Sequence, residues 1–546
     1  MFEKLKQKFS AENNFTSATL ILIITLICSN VLGLLRNRFL AQKIPQYDLD
    51  TYLAAFRVPD LLFNLLVLGA ISAVFIPVFT EYISKKNYKT AWHIANSMIN
   101  LIVIAVVILS VVLYFAMPWI VNFIVPGFDD PQITQTIKLS RLLLFSPLFF
   151  GLSYVFSGIL NSFKRFLVYS LAPLVYNLAI IVAIFLFADN LGVWGIGIGV
   201  IFGAFFHMFI QAPVVYKLGW RWQPIFDFKH EEVKKMGKLM IPRVVGLASS
   251  QIVLIVFTYL ASMWIGHVTY FNFANDIQTF FSVVFGSSFA IAMFPILSEN
   301  AAKAESQEFA KNLAIAFKQI IYYTLPLSIL VIMLRAEIVR LILGTGFYDW
   351  NATIITADAL GAFAVGVWAA SLVQLLARAY YAHKDTLRPT IISLISATVT
   401  IVFGIYLSKG HGNWQGLESV GLAFASSIGS IINFFLLASF QKEKKYFWNK
   451  ELLYTILKYL IAIIFMIIAT QISKIFLGNI VNMRTFAGVF IKTIISLIIG
   501  IATYLSLTYW WKCDELESFM KIFRRKTQGI EQKSGEAIEE QSKTDN

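Results

Sequence analysis

Two short stretches carry charged side chains inside apolar surroundings. VLGLLRNRFLAQ places Arg36 and Arg38 at the end of a long apolar run, and DLDTYLAAFRVPDLL places Asp50, Arg57 and Asp60 in the next. A charge at bilayer depth is costly unless it faces water or a partner, so intramembrane ionisable groups are functional candidates by default. Arginine suits a phosphate or pyrophosphate. Its planar fork donates two parallel hydrogen bonds to phosphate oxygens and never loses its charge. Arg57 is the first candidate for such a contact and Arg36 the second. The plainer alternatives stay open: Arg36 and Arg38 as anchors at the outer headgroups, and Arg57 as a structural partner of Asp50 or Asp60. Pro59 and Gly69 should break or bend the second run, which is tolerated beside a water-filled cavity.

Other ionisable groups form a second tier. Glu81 and Glu299 sit near Lys85 and Lys303, either as gate contacts between two halves or as ordinary surface pairs one turn apart. Asp276, in YFNFANDIQTFF, could meet an arginine of the other half or take part in ion coupling. Asp358 and Arg378 are weaker candidates, and Arg335, Glu337 and Arg340 read as a cluster at the outer interface. Enzymatic signatures are missing. There is no GxxxxGK[ST] loop, His230-Glu231 has no second histidine at metal spacing, and the six histidines are scattered. Asp129-Asp130 in PGFDDPQ reads as a turn. The expectation is no catalytic residue, no metal and no cofactor, so any work the chain does would draw on an ion gradient, the membrane potential or a substrate's own gradient.

These residues must be positioned by membrane-spanning helices. Of 546 residues, 58% are hydrophobic and 14% charged, and the mean hydropathy is +0.70. No soluble fold of this length hides so much apolar surface. A spanning helix needs roughly 20 apolar residues. Fourteen candidates meet that need: 15–40, 50–83, 90–125, 133–162, 166–188, 191–218, 234–265, 269–300, 309–343, 352–381, 388–408, 416–440, 450–476 and 484–511. The class is therefore all-α and polytopic.

The net charge of +14 would suggest nucleic acid in a soluble protein. Here Lys and Arg gather in alternate loops: Lys85, Lys86 and Lys89; Lys164 and Arg165; Lys217, Arg221, Lys229, Lys234 and Lys235; Lys303 and Lys311; Lys384 and Arg388; Lys442, Lys444, Lys445 and Lys450. The intervening loops are nearly free of them, with Lys43, Lys409, Lys474 and Arg484 as the main exceptions. By the positive-inside rule both termini are cytoplasmic and the span count is even. Lys4, Lys6 and Lys8 precede an apolar run without a small-residue cleavage site, which reads as an uncleaved first helix. Cys28 and Cys513 suggest no disulfide framework. The tail opens with MKIFRRKTQ and ends in GEAIEEQSKTDN. It reads as disordered or, at its basic start, as lying on the anionic inner leaflet.

The chain repeats itself. AISAVFIPVFTEYISKKN (70–87) matches SFAIAMFPILSENAAKAE (288–305), pairing Pro77 with Pro295 and Glu81 with Glu299. SGILNSFKRFLVYSLAP matches LLARAYYAHKDTLRPTI, and WGIGIGVIFGAFF matches VGLAFASSIGSII. The expectation is a pair of six-helix lobes of like orientation, 1–220 and 221–442, followed by two extra helices in 443–511 and a tail, 512–546. Parallel repeats relate about an axis along the membrane normal, and rocking of the lobes gives alternating access.

By these residues the chain resembles the MurJ-type lipid II flippases of the MOP exporter superfamily. The matching pieces are SNVLGLLRNRFLA, DTYLAAFRVPDLL with GAISAVFIPVFTEY, PGF at 126–128, LNSFKRFLVYSLAP with Asn177 beyond it, and FPILSE at 294–299. The resemblance implies a bacterial inner-membrane flippase with a cavity between lobes for the pyrophosphate and sugar-peptide head of lipid II. It also implies a groove for the polyprenyl tail along the extra helices, and cell-wall synthases as candidate partners. Arg36 matches a cavity arginine of the family and Asp50 an acidic residue opening the second helix. There are departures. Asn30 and Asn37 stand where the family has Arg and Asp, Phe63 and Asn64 where it has a basic pair, Leu68 where it has an acid, and Asp276 where it has Arg. Arg38 and Arg57 restore positive charge nearby. The rivals are a flippase for another lipid-linked oligosaccharide, a multidrug or cation antiporter with an acidic, aromatic cavity, and a polyprenyl-phosphate transferase, which would need clustered acidic metal ligands.

Overall fold

The computed structural model describes residues 15–68, 75–227, 231–410, 415–441 and 450–516. Gly69, Lys229, His230, Lys442, Lys444, Lys445, the N-terminal lysines and the tail beyond residue 516 lie outside them. The described residues fold into α-helices and contain no strand. In chain order they are α1 (Phe15–Lys43), α2 (Gln46–Ala55), α3 (Arg57–Phe63), α4 (Ile76–Ser84), α5 (Tyr88–Ile124), α6 (Asp130–Leu143), α7 (Ser146–Ser162), α8 (Phe166–Phe209) and α9 (Ala212–Lys217). Then come α10 (Glu231–Ala261), α11 (His267–Ser282), α12 (Ser288–Ala302), α13 (Ser306–Leu343), α14 (Trp350–Ala364), α15 (Val367–Ala382), α16 (Leu387–Ser408), α17 (Glu418–Ser439), α18 (Lys450–Ile480) and α19 (Phe486–Trp510).

Every one of the fourteen expected segments is helical where described, but fewer qualify as simple spans. Among the described residues, nine helices are long and apolar enough to cross a membrane, or ten if the pair α14–α15, bent by 45°, is one crossing. The difference has local causes. The second segment is cut into α2, α3 and α4, and α13 carries Lys311, Lys318, Arg335, Glu337 and Arg340. The 44-residue α8 is two antiparallel arms that turn at Gly192, whose φ of 54° and ψ of −138° are open only to glycine. Large apolar side chains face outward along the spans: Trp119 is 75% exposed, Phe123 71% and Phe476 65%. Such a surface suits lipid and would aggregate in water.

The second segment is interrupted at Phe56, just ahead of Pro59, while Phe56 itself keeps φ −75° and ψ −20° near the helical range. Pro59 has no N–H to bond the Ala55 carbonyl, so the proline accounts for the interruption. A π-helical stretch, Asn64–Leu68, follows α3, and a second, Val283–Ser287, joins α11 to α12. The offset that pairs Pro77 with Pro295 brings these stretches to within one residue of each other. The turns after the matched pieces also agree. Lys86, Lys164, Ala304 and Lys384 all take left-handed φ values of 56–60°. In each turn the following N–H bonds back across the cap: Asn87 to the Tyr82 carbonyl (3.0 Å), Arg165 to Leu160 (2.8 Å), Glu305 to Asn300 (3.0 Å) and Asp385 to Tyr380 (3.0 Å). These are Schellman caps made without glycine.

One buried core runs from Leu40 through Phe75, Phe79 and Ile180 to Phe271 and Ala425. A second gathers Phe317, Tyr322, Tyr459 and Tyr504, and through it α18 and α19 pack on α13.

Candidate functional site

The charged residues of α1 to α3 meet α11 and α13. Arg36, near the end of α1, donates from Nη1 to Asn177 Oδ1 of α8 (3.2 Å) and from Nη2 to Asn37 Oδ1 (3.1 Å). Its Nη2 lies 3.8 Å from Asp276 Oδ2, and Asn37 Nδ2 donates to that same oxygen at 2.8 Å. The Arg36 side chain is 23% exposed and that of Asp276 43%, so the pair is not sealed inside the protein.

Arg57 is buried on α3. Its Nε donates to Thr258 Oγ1 of α10 and its Nη2 to Asn272 Oδ1 of α11, both at 2.6 Å. The alternative reading, a structural pair with Asp50 or Asp60, gives way to neutral oxygens of the later helices.

Asp50 was expected beside the substrate. Instead it is 1% exposed and serves the start of α11. Its Oδ2 accepts from Gly266 N (2.6 Å), and its Oδ1 from Thr269 N (2.8 Å) and Thr269 Oγ1 (2.7 Å). A carboxylate there answers the unpaired N–H groups and the positive end of the helix dipole.

Arg38 also leaves the cluster. It donates to the carbonyls of Leu341 (2.6 Å) and Ile342 (3.2 Å) at the end of α13 and lies over the Phe486 ring. A cation suits a helix C-terminus. Arg38→Met should therefore lower stability by about 1–2 kcal/mol and leave transport in place. Thermal unfolding in detergent beside a transport assay checks this. Lost transport at unchanged stability would return Arg38 to the substrate.

Further contacts gather at this Asp50 end. Lys43 pairs with Asp189 (2.7 Å), Gln46 donates to the Phe347 carbonyl (3.1 Å), and Gly127 N donates to Ser262 Oγ (3.4 Å). Asp129 caps α6 by accepting from Gln132 N (2.9 Å) and also takes the Tyr47 hydroxyl (2.6 Å). These donors, the tyrosine first, hold its carboxyl below the usual carboxylate range. The Asp129-Asp130 turn is thus a cap, and among the described residues no cluster could hold a metal ion. At the far ends of α4 and α12, Glu81 bonds Lys85 (2.6 Å) and Glu299 bonds Lys303 (2.7 Å), each one turn along its own helix.

A cavity of about 350 Å³ opens between α1, α4, α7 and α8, lined by Ser29, Tyr154, Ser157, Asn161, Tyr169 and His207 among others. Asn177, which takes the Arg36 guanidinium, also donates to Ser29 (3.3 Å), so the cavity wall and the arginine share one network. His207 had no role in the sequence reading. Here its Nδ1 lies 2.6 Å from Ser153 Oγ, Gln211 Nε2 donates to that hydroxyl (2.6 Å), and Ser157 donates to Gln211 Oε1 (2.9 Å). Its spacing to Ser153 and Ser157 across two helices left no mark along the chain.

A sequence profile described as "Lipid II flippase MurJ" matches residues 46–501. The chain belongs to the MurJ family. A lipid II flippase MurJ of Burkholderia cenocepacia is 25% identical over 425 residues, covering 75% of this chain and 80% of that one. A probable lipid II flippase MurJ of Haemophilus influenzae is 27% identical over 462 residues, covering 81% and 89%. A solved MurJ structure in an inward closed conformation aligns with a TM-score of 0.75 at 24% identity, covering 90% of this chain and 99% of that one. An inward-facing multidrug MATE transporter of the MOP superfamily aligns at 0.63 and 14% identity, covering 74% and 93%. The solved structures share the fold. In this MurJ setting two departures become one feature. Asn37 and Asp276 fill slots where the resemblance expects Asp and Arg, and they bond to each other with Arg36 alongside.

Proposed function

We propose that this chain carries lipid II, the lipid-linked peptidoglycan precursor, from the inner to the outer leaflet of the bacterial cytoplasmic membrane by alternating access. The observation that carries the reading is the family match over residues 46–501, joined to a partly exposed Arg36 at the junction of α1, α8 and α11. Nothing in the transport step needs a covalent intermediate, so the chain is read as a transporter and not as an enzyme.

In this reading residues 1–220 and 221–442 are lobes that rock about the Arg36–Asp276 junction. Both termini are cytoplasmic, which makes the Asp50 end the outer one. The hydrogen bonds of Asp50, Arg57 and Gln46 then close the outer side, and the pyrophosphate reaches Arg36 from the cytoplasm. Arg57 joins the phosphate site when the outer side opens and Thr258 and Asn272 withdraw. Glu81 and Glu299 act as the inner gate by exchanging partners, Glu81 for Lys303 and Glu299 for Lys85.

The test is rescue of a strain depleted of its own flippase, beside native mass spectrometry of the purified chain with lipid II. Growth and a retained lipid II adduct are expected. Failure of both, with retention of a different lipid-linked oligosaccharide, would move the chain to another carrier lipid. The Asn37–Asp276 pair makes that arm worth running, because it alters charge where the head group would sit.

A further inference from the structure

Lys474 broke the charge alternation of the loops, and transport gives it no role. It lies in α18 six residues before Ile480, Lys492 lies in α19 six residues after Phe486, and Glu337 lies in α13 six residues before Leu343. The three meet. Lys474 Nζ is 3.3 Å from Glu337 Oε1 and Lys492 Nζ is 3.1 Å from the same oxygen. Lys474 also donates to the Met333 carbonyl. The side chains are 9% exposed for Glu337, 17% for Lys474 and 14% for Lys492.

One carboxylate thus serves two ammonium groups. Among the described residues no second acid lies within ion-pair distance of either lysine. The neighbouring cations give no relief. Arg335 is taken by Asp358 at 3.1 Å, and Arg38 is spent on the end of α13. The site keeps one uncompensated positive charge in a largely buried place, which is costly without a counter-ion.

Depth says which anion is at hand. At ~1.5 Å per residue the groups lie ~9 Å inside their helix ends. The 31 residues of α18 span roughly 46 Å against a hydrocarbon core of about 30 Å, so each end overshoots by ~8 Å. By that estimate Lys474 sits at the edge of the hydrocarbon core, and Lys492, bound to the same carboxylate, lies beside it; from there a lysine side chain reaches the lipid phosphates. We propose that Lys474 and Lys492 bind the phosphodiester of an anionic phospholipid, with Glu337 setting the charge. Two ammonium groups less one carboxylate leave a single unit, which a phosphodiester of charge −1 fills. A monoester or pyrophosphate brings more charge than the site can balance. The lipid then ties α18 and α19 to α13, whatever the chain transports.

The test uses the full-length protein in neutral detergent, titrated with phosphatidylglycerol, phosphatidylethanolamine or a polyprenyl monophosphate. Retention is read by native mass spectrometry and stability by thermal unfolding. The wild type should retain phosphatidylglycerol in preference to the other two and melt higher with it. Lys492→Met leaves a neutral Lys474–Glu337 pair and should bind phosphatidylglycerol about tenfold more weakly. Glu337→Gln leaves two free cations and should bind it about tenfold more tightly, and also accept the polyprenyl phosphate. A purely structural ion pair predicts destabilisation in both variants with no change in lipid binding, and that result overturns the proposal. So does equal retention of phosphatidylethanolamine, or retention of polyprenyl phosphate alone. If Lys492→Met does not fold, Lys492→Gln carries the same comparison.

Discussion

Arg36→Ala should abolish transport, with Arg36→Lys falling between it and the wild type. The guanidinium is partly exposed, and in the proposed reading its resting partners, Asn177, Asn37 and Asp276, give it up to a stronger acceptor. A pyrophosphate accepts two parallel bonds from the fork. At about 1.5–3 kcal/mol for each charged hydrogen bond, losing both costs at least about a hundredfold in affinity. Lysine restores the charge but not the paired geometry. The helix should survive the change, since Ala is a good helix former and the position is partly open. Asp276→Asn separates binding from structure. Asp276 competes with the substrate for Arg36, so removing its charge should tighten lipid II retention and slow release. Transport in proteoliposomes, beside lipid retention by native mass spectrometry, measures both. An Arg36→Ala protein that transports at the wild-type rate would remove Arg36 from the substrate site.

Much of the frame was legible because bilayers impose simple rules. Apolar runs marked the helical segments. The repeat was read from pieces such as those around Pro77 and Pro295; the π stretches and left-handed caps that fall at matching positions have no sequence signature without glycine. Pro59 announced a break, and the helix is interrupted just before it at Phe56, where the proline has no N–H for the Ala55 carbonyl. The site was half legible. Charged residues announced themselves by their cost in lipid, yet their partners did not. Thr258, Asn272 and Asn177 are neutral, and contacts across 201, 215 and 141 residues cannot be read from one chain. That gap is why Asp50 and Arg38 read as substrate ligands. Seen alone they are unpaired charges, whereas in the fold each finishes a helix end far along the chain.

Asp50→Ala should unlatch the Asp50 end. The carboxylate reaches across the molecule to cap α11, and its three bonds go to groups that have no other acceptor within that helix. Gly266 makes the reach feasible. Its φ of 86° turns the N–H toward Asp50, and a Cβ there would meet the Tyr270 hydroxyl at 2.4 Å. Removing the carboxylate leaves two N–H groups and a hydroxyl unpaired in a buried place, a penalty of about 3–5 kcal/mol. Water can reach those groups only if the end opens, so the penalty falls on the closed state. A shift of that size moves a two-state equilibrium by roughly 10²–10⁴-fold. Asp50→Asn should lie between, because its amide oxygen still accepts while its NH2 opposes a backbone N–H. Spin labels at the exposed positions Asp130 and Ile265 report the distance across this end. The alanine variant should show a longer, broader distribution than the wild type, and lipid II transport should slow because the outward-open state is over-populated. Identical distributions in the two proteins would mean that this cap holds one helix and latches nothing.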